Sequence, residues 1–301
     1  MLGSRLCERL ACSVPSGSPK ATPCKRLCLN RQRVRALDDE KVGRFSEISQ
    51  QDDQKAMVFG LSPAQLLIAS VSGFGLVALD VFDSHSLHLL APIDVALHSW
   101  VTEYFSPSTS QLFGRWISDI FIVPELLLWP VLWVLMLRKD FFEGGAVLSL
   151  SCMAYAMGGP ILHGDTALVN ALKVAFQRAR PGGIHRTFAF PSGHTTAAML
   201  LTGTILFVFL PVLFDALPQM QGKVVETEKK EVGPSKMDVV GKYAPVIWGL
   251  AYFTTAAGRV GADAHWLSDT LAGFFLGIGL VASLRIGVEE VIKAKNIENS
   301  S

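Results

Sequence analysis

Long apolar stretches recur through this chain from residue 60 onward, and they constrain the fold more than any other feature. A helix needs roughly 20 mostly apolar residues to cross a bilayer. Six stretches are candidates: residues 61–81, 112–137, 145–176, 195–214, 243–257 and 266–286. The second carries Pro124 and Pro130, tolerable in lipid where neighbouring helices cover freed backbone groups. At ~1.5 Å per residue the third is longer than a bilayer core, so Gly158-Gly159-Pro160 is expected to kink or divide it. The fifth is short and rich in small residues. The pattern predicts an all-α fold, a polytopic six-helix transmembrane bundle with both termini on one side.

Between the first two stretches, Ile93, Leu97, Trp100, Val101 and Tyr104 recur at helical spacing, with Asp94, His98, Ser99 and Glu103 filling much of the rest. This reads as an amphipathic helix lying at the membrane interface, or as a short helix packed on the bundle. Lys and Arg concentrate in the loops on the side of the termini, among them Arg138, Lys139, Lys229, Lys230, Lys293 and Lys295. That side is expected to face the cytosol, or the stroma in a plastid. The mixed-sign loop 217–242 reads as a solvated connector.

Half the residues are hydrophobic and 18% are charged, below the roughly 25% of a soluble domain. Lys and Arg number 27 against 26 Asp and Glu. These figures exclude a disordered acidic chain and a disulfide-dense scaffold, and argue against a nucleic-acid partner. The implied partner is the bilayer. The first 36 residues depart from this average: Arg5, Arg9, Lys20, Lys25, Arg26, Arg31, Arg33 and Arg35 face the single acid Glu8. No long apolar core makes this a secretory signal, and the Arg-rich, acid-poor composition is that of a transit peptide, plastid ahead of mitochondrial. Four of the five cysteines lie in it, with no histidine to complete a zinc site. The expected organisation is a transit peptide over 1–36, a linker over 37–57, a membrane-embedded domain over 58–290 and a tail over 291–301. A plastid envelope location follows, with the endoplasmic reticulum or another endomembrane as the alternative.

Three short blocks carry chemistry, all at the ends of spans facing away from the termini. Lys173 and Arg180-Pro181 lie at the exit of the third span, Pro191-Ser192-Gly193-His194 at the entry of the fourth, and Arg259, His265 and Asp269 between the fifth and sixth. Lys173, Arg180 and Arg259 are three cations near or within a membrane, where unpaired charge costs several kcal/mol. Asp269 cannot neutralise all three, but a dianionic phosphate can, and arginine forks match phosphate oxygens. Ser192-Gly193-His194 opens a helix, whose N–H groups and dipole favour phosphate. His265 and Asp269 are four apart and share a helix face, so the carboxylate can fix the imidazole tautomer. Arg178 and Arg186 read as interfacial arginines reaching toward headgroups. His163 and Asp165 read as packing or as functional groups in a wet break, and Asp263 as a group that tunes His265. Asp80, Asp83, Asp94 and Asp119 read as span-end or interfacial residues.

Together the three blocks resemble the type-2 phosphatidic acid phosphatase superfamily, marked by Lys-x6-Arg-Pro, Pro-Ser-Gly-His and Ser-Arg-x5-His-x3-Asp. The resemblance covers about residues 58–290. One position departs: Gly258 replaces the Ser of the third block, removing a hydroxyl near the phosphate pocket. The resemblance implies catalysis by His265 as nucleophile through a phosphohistidine, His194 as general acid and then base, and Asp269 as orienter. It also implies that phosphate is held by Lys173, Arg180, Ser192, Gly193 and Arg259. No cofactor and no metal is implied, because the cations take the electrostatic role. Phosphatidate is the implied substrate, with isoprenyl diphosphates and sphingoid phosphates as alternatives. Soluble haloperoxidases that bind vanadate share the motif set, but six spans argue against that activity. A non-catalytic lipid-binding or transport protein is the alternative of another class.

Overall fold

The computed structural model describes residues 61–160, 166–182, 187–215 and 236–298. All of them belong to the unit Ala56–Ser301. The basic leader, the linker over 37–57, most of the 217–242 connector, and His163, Asp165 and Arg186 lie outside the described residues.

Every regular element among the described residues is helical. In chain order they are α1 (Pro63–Phe82), α2 (Ala91–Tyr104), α3 (Pro107–Leu112), α4 (Ile122–Lys139), α5 (Phe141–Gly158), α6 (Ala167–Phe176), α7 (Gly193–Thr204), α8 (Leu210–Asp215), α9 (Lys236–Gly261) and α10 (Leu267–Glu298). π-helical turns over Phe113–Ile117 and Ile205–Phe209 extend α3 and α7. Among the described residues four segments are long and apolar enough to cross a membrane: Pro63–Phe82, Pro107–Lys139, Gly193–Phe214 and Leu267–Lys295. These cover four of the six expected stretches. The other two expected spans correspond to α5, which packs on α4 and α10, and to α9, which packs on α7. Glu143 in α5 and Lys236, Asp238 and Lys242 in α9 dilute their apolar character. The Gly-Gly-Pro break does divide the third stretch, since α5 stops at Gly158 and α6 starts at Ala167.

Local chemistry sets the boundaries. Ser62 and Gln65 cap α1 reciprocally, and Pro63 takes the first helical position, where its missing N–H costs nothing. Asp80 accepts the N–H groups of Leu89 (2.7 Å) and Leu90 (2.9 Å), tying the end of α1 to the start of α2. Asp140 accepts from Phe142 and Glu143 and so opens α5. It also takes Lys295 at 2.5 Å, because α10 runs unbroken through residue 290 to Glu298.

Helix α7 is the axis of the bundle. Every side chain from Thr195 to Phe209 is buried. The Gly193–Phe214 segment is 78% buried where Pro63–Phe82 is 17%, so α1 leaves its apolar residues for lipid. Trp129 and Trp248 bury their rings against α7 and donate their indole N–H groups to Leu201 and Met199 carbonyls. This satisfies the one polar atom of each. Helix α10 approaches α7 through Gly273 and Gly277. A Cβ at 273 would lie 2.6 Å from the Ser192 carbonyl, and one at 277 would lie 2.4 Å from Met199 Cβ. This small-residue face lets two backbones meet and brings the start of α10 beside the start of α7.

Helix α2 has the predicted period, but the face it turns to the protein carries Asp94, Leu97, His98 and Val101, while Ser99 and Glu103 are exposed. Asp94 and Val101 are buried, while Ile93, Trp100 and Tyr104 are exposed. Asp94 therefore is not a span-end or interfacial acid. A carboxylate surrounded by apolar solvent is better placed against protein partners, and Asp94 turns toward them.

Candidate active site

Helix α6 ends at Gln177, whose left-handed backbone (φ 46°) reverses the chain. The following loop carries Arg178 and Arg180 back across the end of α9. Lys173, on the last turn of α6, is 3% exposed, and Arg259, on the last turn of α9, is 8% exposed. His265 lies between them in the α9–α10 connection and is 2% exposed. Arg180 Nη1 sits 3.0 Å from His265 Nε2 and also donates to the Ala264 carbonyl at 2.8 Å. Its Nε and Nη2 are anchored on Thr187. Arginine is always protonated and can only donate, so Nε2 accepts and Nδ1 carries the ring hydrogen. That hydrogen is on the side of Asp269, whose Oδ2 is 3.5 Å from Nδ1. This is longer than a hydrogen bond, but it pairs the ring with the expected carboxylate. Burial first, then the positive charges of Arg259, Arg180 and Lys173 and the nearby His194, hold His265 well below the ordinary histidine range. A neutral imidazole with a lone pair at Nε2 is the state this setting favours.

The carboxylate behind His265 is held by a residue the sequence assigns to the membrane surface. Arg178 donates through Nη1 to Asp269 Oδ1 (2.6 Å) and to the Ser268 hydroxyl (2.6 Å), and through Nη2 to Asp94 Oδ2 (2.9 Å). Its guanidinium also lies over the Trp266 ring at 5.5 Å. Asp94 in turn accepts the Ser268 N–H at 3.0 Å and the Ser268 hydroxyl. Arg178 thus does not reach out to headgroups; it joins α2, the α6–α7 loop and α10 behind the site. The sequence clue available was the i, i+4 pair Asp94 and His98 on one face of an amphipathic helix. Asp263 faces His98 Nδ1 at 2.7 Å, so its partner is on α2, and no direct bond to His265 is formed.

Ser192 caps α7, its hydroxyl accepting from the Thr195 N–H and hydroxyl. Its own N–H donates to the Asp269 carbonyl at 3.0 Å, which fixes the first turn of α7 to the first turn of α10. Gly193 is the first residue of α7. His194 follows with a side chain 45% exposed, its Nε2 3.7 Å from Asp119 Oδ1. Asp119 is a second acid that the sequence assigns to a span end and that the structure sets against a motif histidine. All eight expected residues, Lys173, Arg180, Ser192, Gly193, His194, Arg259, His265 and Asp269, lie at this end of the bundle. Gly258 proves to be a packing position: a Cβ there would lie 2.4 Å from the Ser118 backbone nitrogen. Among the described residues no group of three or more His, Cys, Asp or Glu side chains is placed to hold a metal ion.

The fold and this end-on cluster define a membrane-embedded helical domain with a cationic, two-histidine site. Residues 150–292 match the family model of the PAP2 superfamily. The apolar helices mark the chain as an integral membrane protein. Comparison with curated proteins finds no match. Among solved structures, the chain is similar to a transmembrane PAP2-type phosphatidylglycerolphosphate phosphatase from Bacillus subtilis, with 20% identity and a TM-score of 0.49. The similarity covers 74% of this chain and 96% of that one.

Proposed function

We propose that this protein is a metal-independent lipid phosphate phosphatase that converts phosphatidate to diacylglycerol and phosphate. The observation that carries the reading is the convergence of Lys173, Arg180, Arg259 and His194 on one buried, neutral histidine with a carboxylate behind it. The double negative charge of a phosphate monoester matches three clustered cations, two of them arginines whose forks fit phosphate oxygens. It binds between them and the N-terminus of α7 at Ser192-Gly193. Its oxygens draw the Arg180 guanidinium off His265 Nε2, and the freed lone pair attacks phosphorus. The P–O bond to the glycerol oxygen breaks, and protonated His194 delivers its proton to that oxygen. Neutral His194 then takes a proton from water, whose oxygen displaces His265 and releases phosphate. Asp269 stabilises the ring of His265 as positive charge develops on it. The two exposures suit the two roles: the nucleophile is enclosed, while the acid–base faces the mouth where leaving group and water pass.

The placement of a phosphate site at the end of apolar helices favours a substrate carried by the bilayer. Isoprenyl diphosphates and sphingoid phosphates meet the same cations, because the site reads phosphate and not tail. The leader over residues 1–36 supports a plastid envelope location.

Phosphate release by the detergent-purified protein, on a panel of these lipids with EDTA present, tests the reading. Wild type is expected to turn over phosphatidate in EDTA, and His265→Ala to lose on the order of 10⁴-fold or more. Equal activity of the two proteins would refute the mechanism. Plastid uptake of a fluorescent fusion, lost on deletion of residues 1–36, tests the location.

A further inference from the structure

Each motif histidine faces a carboxylate. His265 faces Asp269 at 3.5 Å, as its sequence spacing implies, and His194 faces Asp119 at 3.7 Å. Nothing in the sequence links Asp119 to His194: it lies in the turn before α4, ahead of the segment 150–292 that matches the superfamily. The acid is held in place from behind. Ser118 is fully buried, and its hydroxyl, with one hydrogen to donate, lies 2.8 Å from the Gly114 carbonyl and 2.9 Å from Asp119 Oδ1. The Ser118 backbone in turn rests on α9 at Gly258. A Cβ at 258 would stand 2.4 Å from Ser118 N, 2.5 Å from its Cα and 2.7 Å from its Cβ. Those atoms are backbone or fixed to it and cannot swing aside. The glycine that replaces the motif serine is therefore the residue that admits the Ser118–Asp119 turn to the site.

We infer that Asp119 is the positioning residue of His194, holding its ring and sustaining its protonated form, and that Gly258 exists to seat it. The inference rests on the phosphatase reading for its catalytic consequence. On the inner side, His194 neighbours His265 in the cluster that holds Arg259, Arg180 and Lys173. Asp119 supplies the opposite charge on the outer side. An opposite charge within about 4–6 Å favours the charged form of a titrating group, and a general acid must hold its proton until the leaving oxygen needs it. Asp119 touches no reacting atom; its effect passes through His194.

The test uses the full-length protein in detergent. Histidine-labelled protein is titrated by NMR, with the His194 resonance assigned by its loss in His194→Gln. Asp119→Asn is expected to move the His194 titration down by about one pH unit, and Asp119→Glu to restore most of it. The same variant should lower kcat on phosphatidate about tenfold at neutral pH and move the alkaline limb of kcat down in parallel. Gly258→Ala should shift His194 in the same direction and add nothing in the Asp119→Asn background. A His194 titration that stays in place in Asp119→Asn overturns the inference, whatever the activity. A titration that moves in Asp119→Asn, when wild type releases no phosphate, leaves the pairing standing and removes the phosphatase reading instead. Activity that falls with an unmoved limb marks Asp119 as structural and overturns its role.

Discussion

Arg178 donates to one oxygen of Asp269 at 2.6 Å, while the other oxygen of the same carboxylate accepts the Trp266 N–H and faces His265. The acid behind the central histidine is thus clamped from two directions before any substrate arrives. Removing one member of a buried charge pair costs about 3–5 kcal/mol, because the other is left uncompensated. Arg178→Gln would strand Asp269 and Asp94 together. It is expected to lower thermal stability in detergent steeply and to abolish most phosphate release. Arg178→Lys keeps the charge but loses the fork that spans Asp269 and Asp94, and should fall between Gln and wild type in both measurements.

The acid limb of kcat/KM should lie below the ordinary imidazole range, near 6.5. Burial, then Arg259, Arg180, Lys173 and His194, disfavour a proton on His265. Its folded-state affinity for protons is lowered, so it stays neutral and able to attack as pH falls, and is lost only at lower pH. Lys173→Gln removes one of the opposing charges and should move this limb upward, apart from any loss in affinity. The substrate's own phosphate titrates identically with both proteins, so the difference between their profiles belongs to the enzyme. An unmoved limb would show that Lys173 does not act on His265.

Restoring the motif serine should harm this protein. In Gly258→Ser the new Cβ meets the backbone of Ser118, and overpacking of this kind costs about 1–3 kcal/mol. The variant is expected to unfold at lower temperature and to bind inorganic phosphate no more tightly than wild type. Tighter phosphate binding with unchanged stability would mean that the lost hydroxyl, and not the packing, is what position 258 decides.

Gly277→Ala should separate α10 from α7. The added methyl would stand 2.4 Å from Met199 Cβ and 2.9 Å from the Thr196 carbonyl. A destabilisation of about 1–3 kcal/mol is expected, with reduced activity, because the same contact brings Asp269 beside Ser192. Gly249→Ala on α9, where an added Cβ meets nothing within 4 Å, is the control and should be near neutral in thermal unfolding.

Apolar length, the Gly158–Pro160 break and the three cationic blocks were legible in the sequence because each is a local property. A run of apolar residues is read within about 20 positions, and His265 and Asp269 share a face through helical spacing alone. The periodicity of residues 93–104 was legible too, but not its direction. A carboxylate on a helix faces water in a soluble protein and protein partners in a membrane. Asp94 therefore turned inward to Arg178 and Ser268 instead of outward.

What the tertiary structure alone decided is the set of partners that charge chooses across long separations. Arg178 with Asp94, Asp119 with His194 and His98 with Asp263 join segments that no spacing rule connects. Gly258 reads in the sequence as a missing hydroxyl and in the structure as a missing Cβ beneath Ser118. The chain by itself determines which residues must leave lipid and which charges need an anion. Which charges meet depends on how closely the backbones approach, and here that approach is set by glycines 258, 273 and 277 at the helix crossings.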